Sequence, residues 1–414
     1  MKFHKKNNCV NFFCFCGIVL LLITSVFKRA QAQYFQFPEH RKRQTLSFEL
    51  VKNIAIIKLY INDKGPFNFI LDTGVDPMVV TDPSLKESLK ANNTRKIMIT
   101  GYDNTNTVEA YVTHELPVKI GDAEALNSPV VFLKEDVFNL SGYLGKKISG
   151  LIGYNFFSSF IVKINYINRT LTFYSPKKRV NPKGDKIPFE FINRKPHITA
   201  QVRFNQSNYP VKLIVDCGAS HSLSLETFNN QSFAVPSPNI DANLGVGLTG
   251  VISGKKARID GLKIGRFDFS NIISNFPELI PDSVKKIARN GNLGAEVLNR
   301  FNVTFDYPNQ IMYLKKNSRY TEPFEDDMMG IEIYMEEGPP SRYLITRVDE
   351  GSVAQKAGIL PNDEIIALNF KPIDSYTVDE IANLFKARDG NAILMECWRK
   401  DQRIIKLIRL KKRI

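Results

Sequence analysis

Two aspartates, Asp72 and Asp216, close near-identical apolar runs 144 residues apart: Phe69-Ile70-Leu71-Asp72-Thr73-Gly74 and Leu213-Ile214-Val215-Asp216-Cys217-Gly218. Each run is rich in β-forming residues and ends on a glycine. Each therefore predicts a buried strand that delivers a carboxylate onto a tight turn. Two carboxylates held face to face cannot both ionise cheaply, so one keeps its proton well above its ordinary range. The ionised one can then draw a proton from water while the other polarises a carbonyl. Their titration belongs to the pair.

The elements that must position these groups are also doubled. Pro66 to Asp72 aligns with Pro210 to Asp216, and Lys119-Ile120-Gly121 recurs as Lys263-Ile264-Gly265. Gly150-Leu151-Ile152-Gly153 answers Gly291-Asn292-Leu293-Gly294, with Asn292 breaking the apolar pattern. Phe160 to Tyr166 answers Phe301 to Tyr307. Ordered matches at nearly constant offset mark an internal duplication. Short Val/Ile/Phe/Tyr runs between Gly, Asn and Pro give both copies an all-β pattern. The copies span 46–176 and 185–316, joined by the charged Pro/Gly stretch Lys177 to Gly184. Residues 33–45 read as a frayed lead-in and Asn317 to Asp327 as a second polar linker.

Residues 325–414 follow another pattern. Val348-Asp349-Glu350-Gly351-Ser352-Val353-Ala354 leads to Ala357-Gly358-Ile359 and Asn362-Asp363-Glu364-Ile365-Ile366-Ala367-Leu368-Asn369. Thr377-Val378-Asp379-Glu380 is a capping box that opens a helix with Val378, Ile381, Leu384 and Phe385 on one face. Arg403 to Leu410 mixes charge with β-formers, as a terminal strand with a solvated face does.

The doubled unit resembles the retropepsin-like aspartic protease superfamily, and the last 90 residues resemble a bacterial-type PDZ domain. The whole chain resembles bacterial secreted proteins that join the two. The resemblance implies a mainly β fold: a bilobal pepsin/retropepsin-like double β-barrel with the cleft between halves, plus a C-terminal PDZ domain. It implies Asp72 and Asp216 as catalytic residues of an endopeptidase, supported by Thr73, Gly74, Cys217 and Gly218. Asp76 either grips substrate backbone or caps its own loop before Pro77. Substrate contacts are also expected from Tyr102 in the hairpin Gly101 to Asn104, and from Gly247 and Thr249 in Gly245-Val246-Gly247-Leu248-Thr249-Gly250. The PDZ resemblance implies a groove between the 377–386 helix and an edge strand at Met329, Gly330, Ile331 and Glu332. There an extended peptide adds as a strand and its C-terminal carboxylate meets loop amides.

The departures carry information. Cys217 stands where the family has Thr or Ser, and a thiol is the poorer hydrogen-bonding partner. Val75 and Ala219 put no hydroxyl three residues past either aspartate, so the dyad is expected to titrate high. A catalytically inactive peptide-binding protein that keeps the fold is the alternative reading. Gly245 to Gly250 matches a dinucleotide fingerprint, but no helical pattern follows it, so a hairpin is expected instead. Cys217 and His221 lack an orienting third group for thiol catalysis. The histidines lack metal-ligand spacing. No cofactor and no metal are expected.

The chain of 414 residues carries a formal net charge of +14, yet no nucleic-acid motif accompanies it. Five of those positives (Lys2, Lys5, Lys6, Lys28, Arg29) fall in residues 1–32, which leaves +9 for the rest. That segment has a basic start, an apolar stretch from Cys9 to Phe27, and Ala30-Gln31-Ala32 as a small-x-small cleavage site. It reads as an export signal, giving a periplasmic or extracellular protein. The other reading is an uncleaved membrane anchor over residues 9–27. Only Cys217 and Cys397 lie beyond the segment, so no disulfide framework is expected.

Overall fold

A computed structural model describes residues 35–100, 107–205, 207–247, 250–278 and 289–414. The expected export segment, the hairpin tip with Tyr102, and Thr249 lie outside the described residues. The structure is mainly β, 53% strand against 9% helix. Two eight-stranded sheets have the same strand order. The first runs Glu49–Val51, Ile54–Ile61, Lys64–Leu71, Gly150–Ile152, Met78–Val80, Ala123–Leu133, Thr107–Ile120, Arg95–Thr100. The second runs Glu190–Ile192, Lys195–Phe204, Ser207–Val215, Gly291–Leu293, Leu223–Leu225, Phe267–Pro277, Gly250–Ile264, Asn239–Gly247. In each, the second strand also pairs with the long hairpin strand (Tyr60 with Lys119, Gln201 with Lys263), which curls the sheet toward a barrel.

A third sheet joins the lobes. Its six strands are Arg43–Ser47, Thr170–Tyr174, Ile161–Asn165, Phe301–Asp306, Ile311–Lys316 and Asp185–Pro188. The central pair, Ile161 to Asn165 against Asp306 to Asn302, brings one strand from each repeat together. Aromatic rings fill the space above it. Phe157 stacks on Tyr307 at 5.4 Å, and Phe156 meets Phe173 edge-on at 5.2 Å. One core cluster therefore runs through both lobes.

Two stretches expected to be loose are ordered. The 33–45 lead-in places Phe35 in the core, fully buried, and Arg43–Ser47 at the edge of the shared sheet. Phe37 stacks on Phe173 at 5.2 Å. Burying one such ring is worth roughly 1.5–3 kcal/mol, enough to fix a short polar segment. The 317–327 linker is held likewise. The Arg300 guanidinium donates to the carbonyls of Arg319, Glu322 and Pro323, while Phe324 is buried and Tyr320 packs on Phe269.

The C-terminal region has its own core of Met329, Ile345, Leu368, Phe385 and Met395. Its strands follow the order Ile331–Glu336, Arg342–Val348, Glu364–Leu368, Ala392–Arg399, Gln402–Arg409. The helix Val378–Phe385 begins at the expected capping box, with Thr377 and Glu380 each bonded to the other's backbone. Ile331–Glu336 is an edge strand.

Candidate active site and peptide groove

Parallel pairing positions both aspartates. Lys64–Leu71 runs beside Gly150–Ile152, and the Asp72 amide donates to the Ile152 carbonyl at 2.9 Å. Ser207–Val215 runs beside Gly291–Leu293, and the Asp216 amide donates to the Leu293 carbonyl at 2.9 Å. Each carboxylate accepts the amide two residues on: Gly74 N–H to Asp72 Oδ1 at 2.6 Å, Gly218 N–H to Asp216 Oδ1 at 3.1 Å. The two carboxyl groups lie close enough for the Asp216 charge to act directly on Asp72. A Cβ added at Gly74 would lie 3.1 Å from Asp72 Oδ1 and 3.2 Å from Asp216 Oδ2, and one at Gly218 would run into the Asp72 carboxyl. Only glycine lets the two turns approach this closely.

The loops also clasp each other through the residues after the aspartates. Thr73 Oγ1 donates to the Val215 carbonyl at 2.6 Å and accepts from Cys217 N–H at 3.0 Å. Cys217 Sγ donates to the Leu71 carbonyl at 3.2 Å. The thiol thus makes the reciprocal bond that the sequence put in doubt. Burial raises the Cys217 value strongly, so the sulfur stays a neutral thiol and is no nucleophile.

Electrostatics at the dyad are uneven. Burial first, and the Asp216 charge second, raise Asp72 well above the usual carboxylate range. Asn292, the residue that interrupted the repeat, donates from Nδ2 to Asp216 Oδ2 at 3.3 Å. His221 lies near Asp216 with its ring lowered to about 4 by burial, hence neutral at ordinary pH.

Asp76 has a partner other than the expected substrate backbone. Its Oδ2 pairs with Arg194 Nη1 at 3.2 Å, a contact from the second lobe's first hairpin turn onto the first lobe. The reciprocal turn uses Asn53, which donates to the Ser220 carbonyl at 3.1 Å and accepts from Asn299 at 2.8 Å. Gly247 ends a hairpin strand paired to Gly250, so the glycine-rich segment is a hairpin and not a dinucleotide loop. Sequence reading missed Arg194 and the role of Asn292. The mismatch of Asn292 with Leu151 was the one available signal.

The edge strand and helix of the expected peptide groove are both engaged by other parts of the chain. The Met329 and Gly330 amides donate to the side chain of Asp327, at 3.2 and 2.5 Å. Burial raises that carboxyl to about 6. Ile331 is buried and Glu332 accepts from Asn243 of the second lobe's hairpin at 3.2 Å. The first lobe covers the other end. Helix Leu140–Leu144 brings Gly142 against the Tyr334 ring, and Gly145 meets Val378, the first residue of the groove helix. Tyr334 Oη donates to Asn139 at 2.7 Å, and the Lys52 amide donates to Asp379 at 2.7 Å. Among the described residues no cluster of His, Cys, Asp and Glu could hold a metal ion, and no helix is long and apolar enough to cross a membrane.

The two equivalent lobes with paired aspartates define an aspartic protease-like fold carrying a PDZ domain. Residues 57–156 match the aspartyl protease family, and residues 344–399 match the PDZ domain family. Among solved structures, the aspartic proteinase from Irpex lacteus is similar at 12% identity and TM-score 0.42, over 68% of this chain and 99% of that one. No curated protein matches the chain. The two family matches support a protease with a peptide-binding domain.

Proposed function

We propose that this protein is an aspartic endopeptidase that hydrolyses peptide bonds with water held between Asp72 and Asp216. The observation that carries the reading is the close pair of carboxyls on reciprocally clasped turns. One carboxylate takes a proton from water, whose oxygen bonds to the scissile carbonyl carbon, while the protonated partner donates to the carbonyl oxygen. Collapse of the tetrahedral adduct breaks the C–N bond, and the departing amine takes the proton gained from water. Cleavage of a random peptide pool by the full chain tests this against Asp72→Asn and Asp216→Asn. Activity in the parent and loss in both variants supports the reading. Equal residual activity in all three leaves a peptide-binding protein that keeps the fold.

The PDZ region is proposed to take extended polypeptide along the edge strand Ile331–Glu336, including protein C-termini. Binding of a C-terminal peptide and of its amidated form, measured by calorimetry, separates terminal from strand-addition recognition. Export is proposed from the basic and apolar character of residues 1–32. Mass spectrometry of the mature N-terminus checks it, with a start at Gln33 expected.

A further inference from the structure

The amide at position 292 violates the local rules of a strand. Asn292 is the middle residue of Gly291–Leu293, paired with Ile214 on one side and Ser224 on the other. Its twin in the first lobe is Leu151, paired in the same way with Ile70 and Val79. Asparagine is depleted in strands, and an incompletely paired buried amide carries a desolvation penalty. Asn292 carries it, since its Oδ1 is buried without a partner. The compensating contact is Nδ2 on Asp216 Oδ2, in the dyad itself. A local rule broken at the centre of a site points to service of that site.

We propose that Asn292 breaks the twofold symmetry of the dyad, holding Asp216 as the ionised member and leaving the shared proton on Asp72. The inference rests on the endopeptidase reading and assigns the two roles within it. Asp216 accepts two N–H donors, Gly218 on Oδ1 and Asn292 on Oδ2. Besides its partner carboxyl, Asp72 accepts one among the described residues, Gly74 on Oδ1. Donors of this kind favour the charged form of a carboxylate. Burial and the facing charge push Asp72 the other way.

The remaining neighbours do not reverse this order. Lys195 favours an ionised Asp72, but it is the weakest of the influences on that group. Cys217 and Tyr307 are both raised by burial and stay neutral. His221 is uncharged above about 4, so it brings no cation to Asp216 in the neutral range. Lys256 acts on His221 and is itself paired with Asp326. Asp216 is therefore the base that takes the proton of water, and Asp72 the acid that protonates the carbonyl oxygen. Asn292 is a positioning residue, acting through Asp216.

Two variants of the full chain test this: Asn292→Leu, which installs the twin residue, and the isosteric Asn292→Asp. The dependence of kcat/KM on pH is measured with a cleavable peptide. In parallel, carboxyl carbons of Asp72 and Asp216 are titrated by NMR, with assignments from Asp72→Asn and Asp216→Asn. Loss of the donor raises the value of the ionised group, so the acid limb is expected to move up by about one pH unit, a tenfold change in proton affinity. A fall in kcat of roughly tenfold with little change in KM accompanies the loss of a correctly charged base. In the parent protein Asp72 should be the carboxyl that holds its proton to the higher pH, with the effect reduced in Asn292→Leu. An unmoved acid limb in either folded variant, or Asp72 as the lower-titrating group, overturns the assignment. If the parent cleaves no peptide, the endopeptidase reading fails while the NMR titration still decides the role of Asn292.

Discussion

The two lobes repeat eight strands in one order, deliver their aspartates by the same parallel pairing, and cross-link through reciprocal turns. Around the carboxyls they diverge: Thr73 against Cys217, Leu151 against Asn292, and a turn ending in Asn53 against one ending in Arg194. Duplication constrains the backbone, because either lobe must present a carboxyl at the same junction. It does not constrain the charges, because two carboxyls held close share one proton whether or not their surroundings match. Of these divergences, Asn292 is the one that bonds a dyad carboxyl, and it does so without moving the strands.

The comparison breaks first at the aspartates themselves. Asp72→Asn and Asp216→Asn are each expected to lower kcat/KM by about 10²–10⁴-fold, the range for loss of general acid or base catalysis. Peptide cleavage under single-turnover conditions reads this, and a mild loss in one variant alone would mean that the lobes do not share the chemistry.

Next come the clasping side chains. Thr73→Val strips partners from two buried backbone groups, the Val215 carbonyl and Cys217 amide, and is expected to destabilise by about 2–4 kcal/mol. Cys217→Ala strips the Leu71 carbonyl of its thiol partner and is expected to remove about 1–2 kcal/mol. Cys217→Ser should hold stability within about 1 kcal/mol of the parent, as a hydroxyl can make the same bond. Urea midpoints rank the three, and equal losses for Thr73→Val and Cys217→Ala would erase the distinction between the lobes.

A pH experiment sharpens the Asp72 side. Burial raises its value in the fold, so the folded protein binds this proton more tightly than the unfolded chain does. Its contribution is intact at acid pH and drains as pH rises above the ordinary 3.8. Asp72→Asn should therefore be more stable than the parent at pH 7, with the advantage gone near pH 3. Denaturant midpoints at the two pH values check the sign. The smallest effect belongs to the turns: Arg194 is half-exposed, so Arg194→Ala should change stability by less than about 1 kcal/mol.

Much of this arrangement was legible in the chain, because the repeat encodes strand order and the apolar runs encode which strands are buried. The aspartate turns, the capping box at Thr377 and the glycine-rich hairpin all rest on local signals of that kind. The rest depends on partners far away in sequence. Phe35 and Phe37 sit among polar residues and are ordered by rings more than 100 positions on. The 317–327 segment is polar by composition but is pinned by Arg300. Asn292 was visible as a mismatch, yet only its distance to Asp216 gives the mismatch a meaning.

Asp327 has a consequence for how the second groove can be used. Its carboxyl is tethered two and three residues from the amides it caps. A short tether gives such an internal rival an effective concentration of at least the order of millimolar. A carboxylate brought to those amides would have to outcompete it.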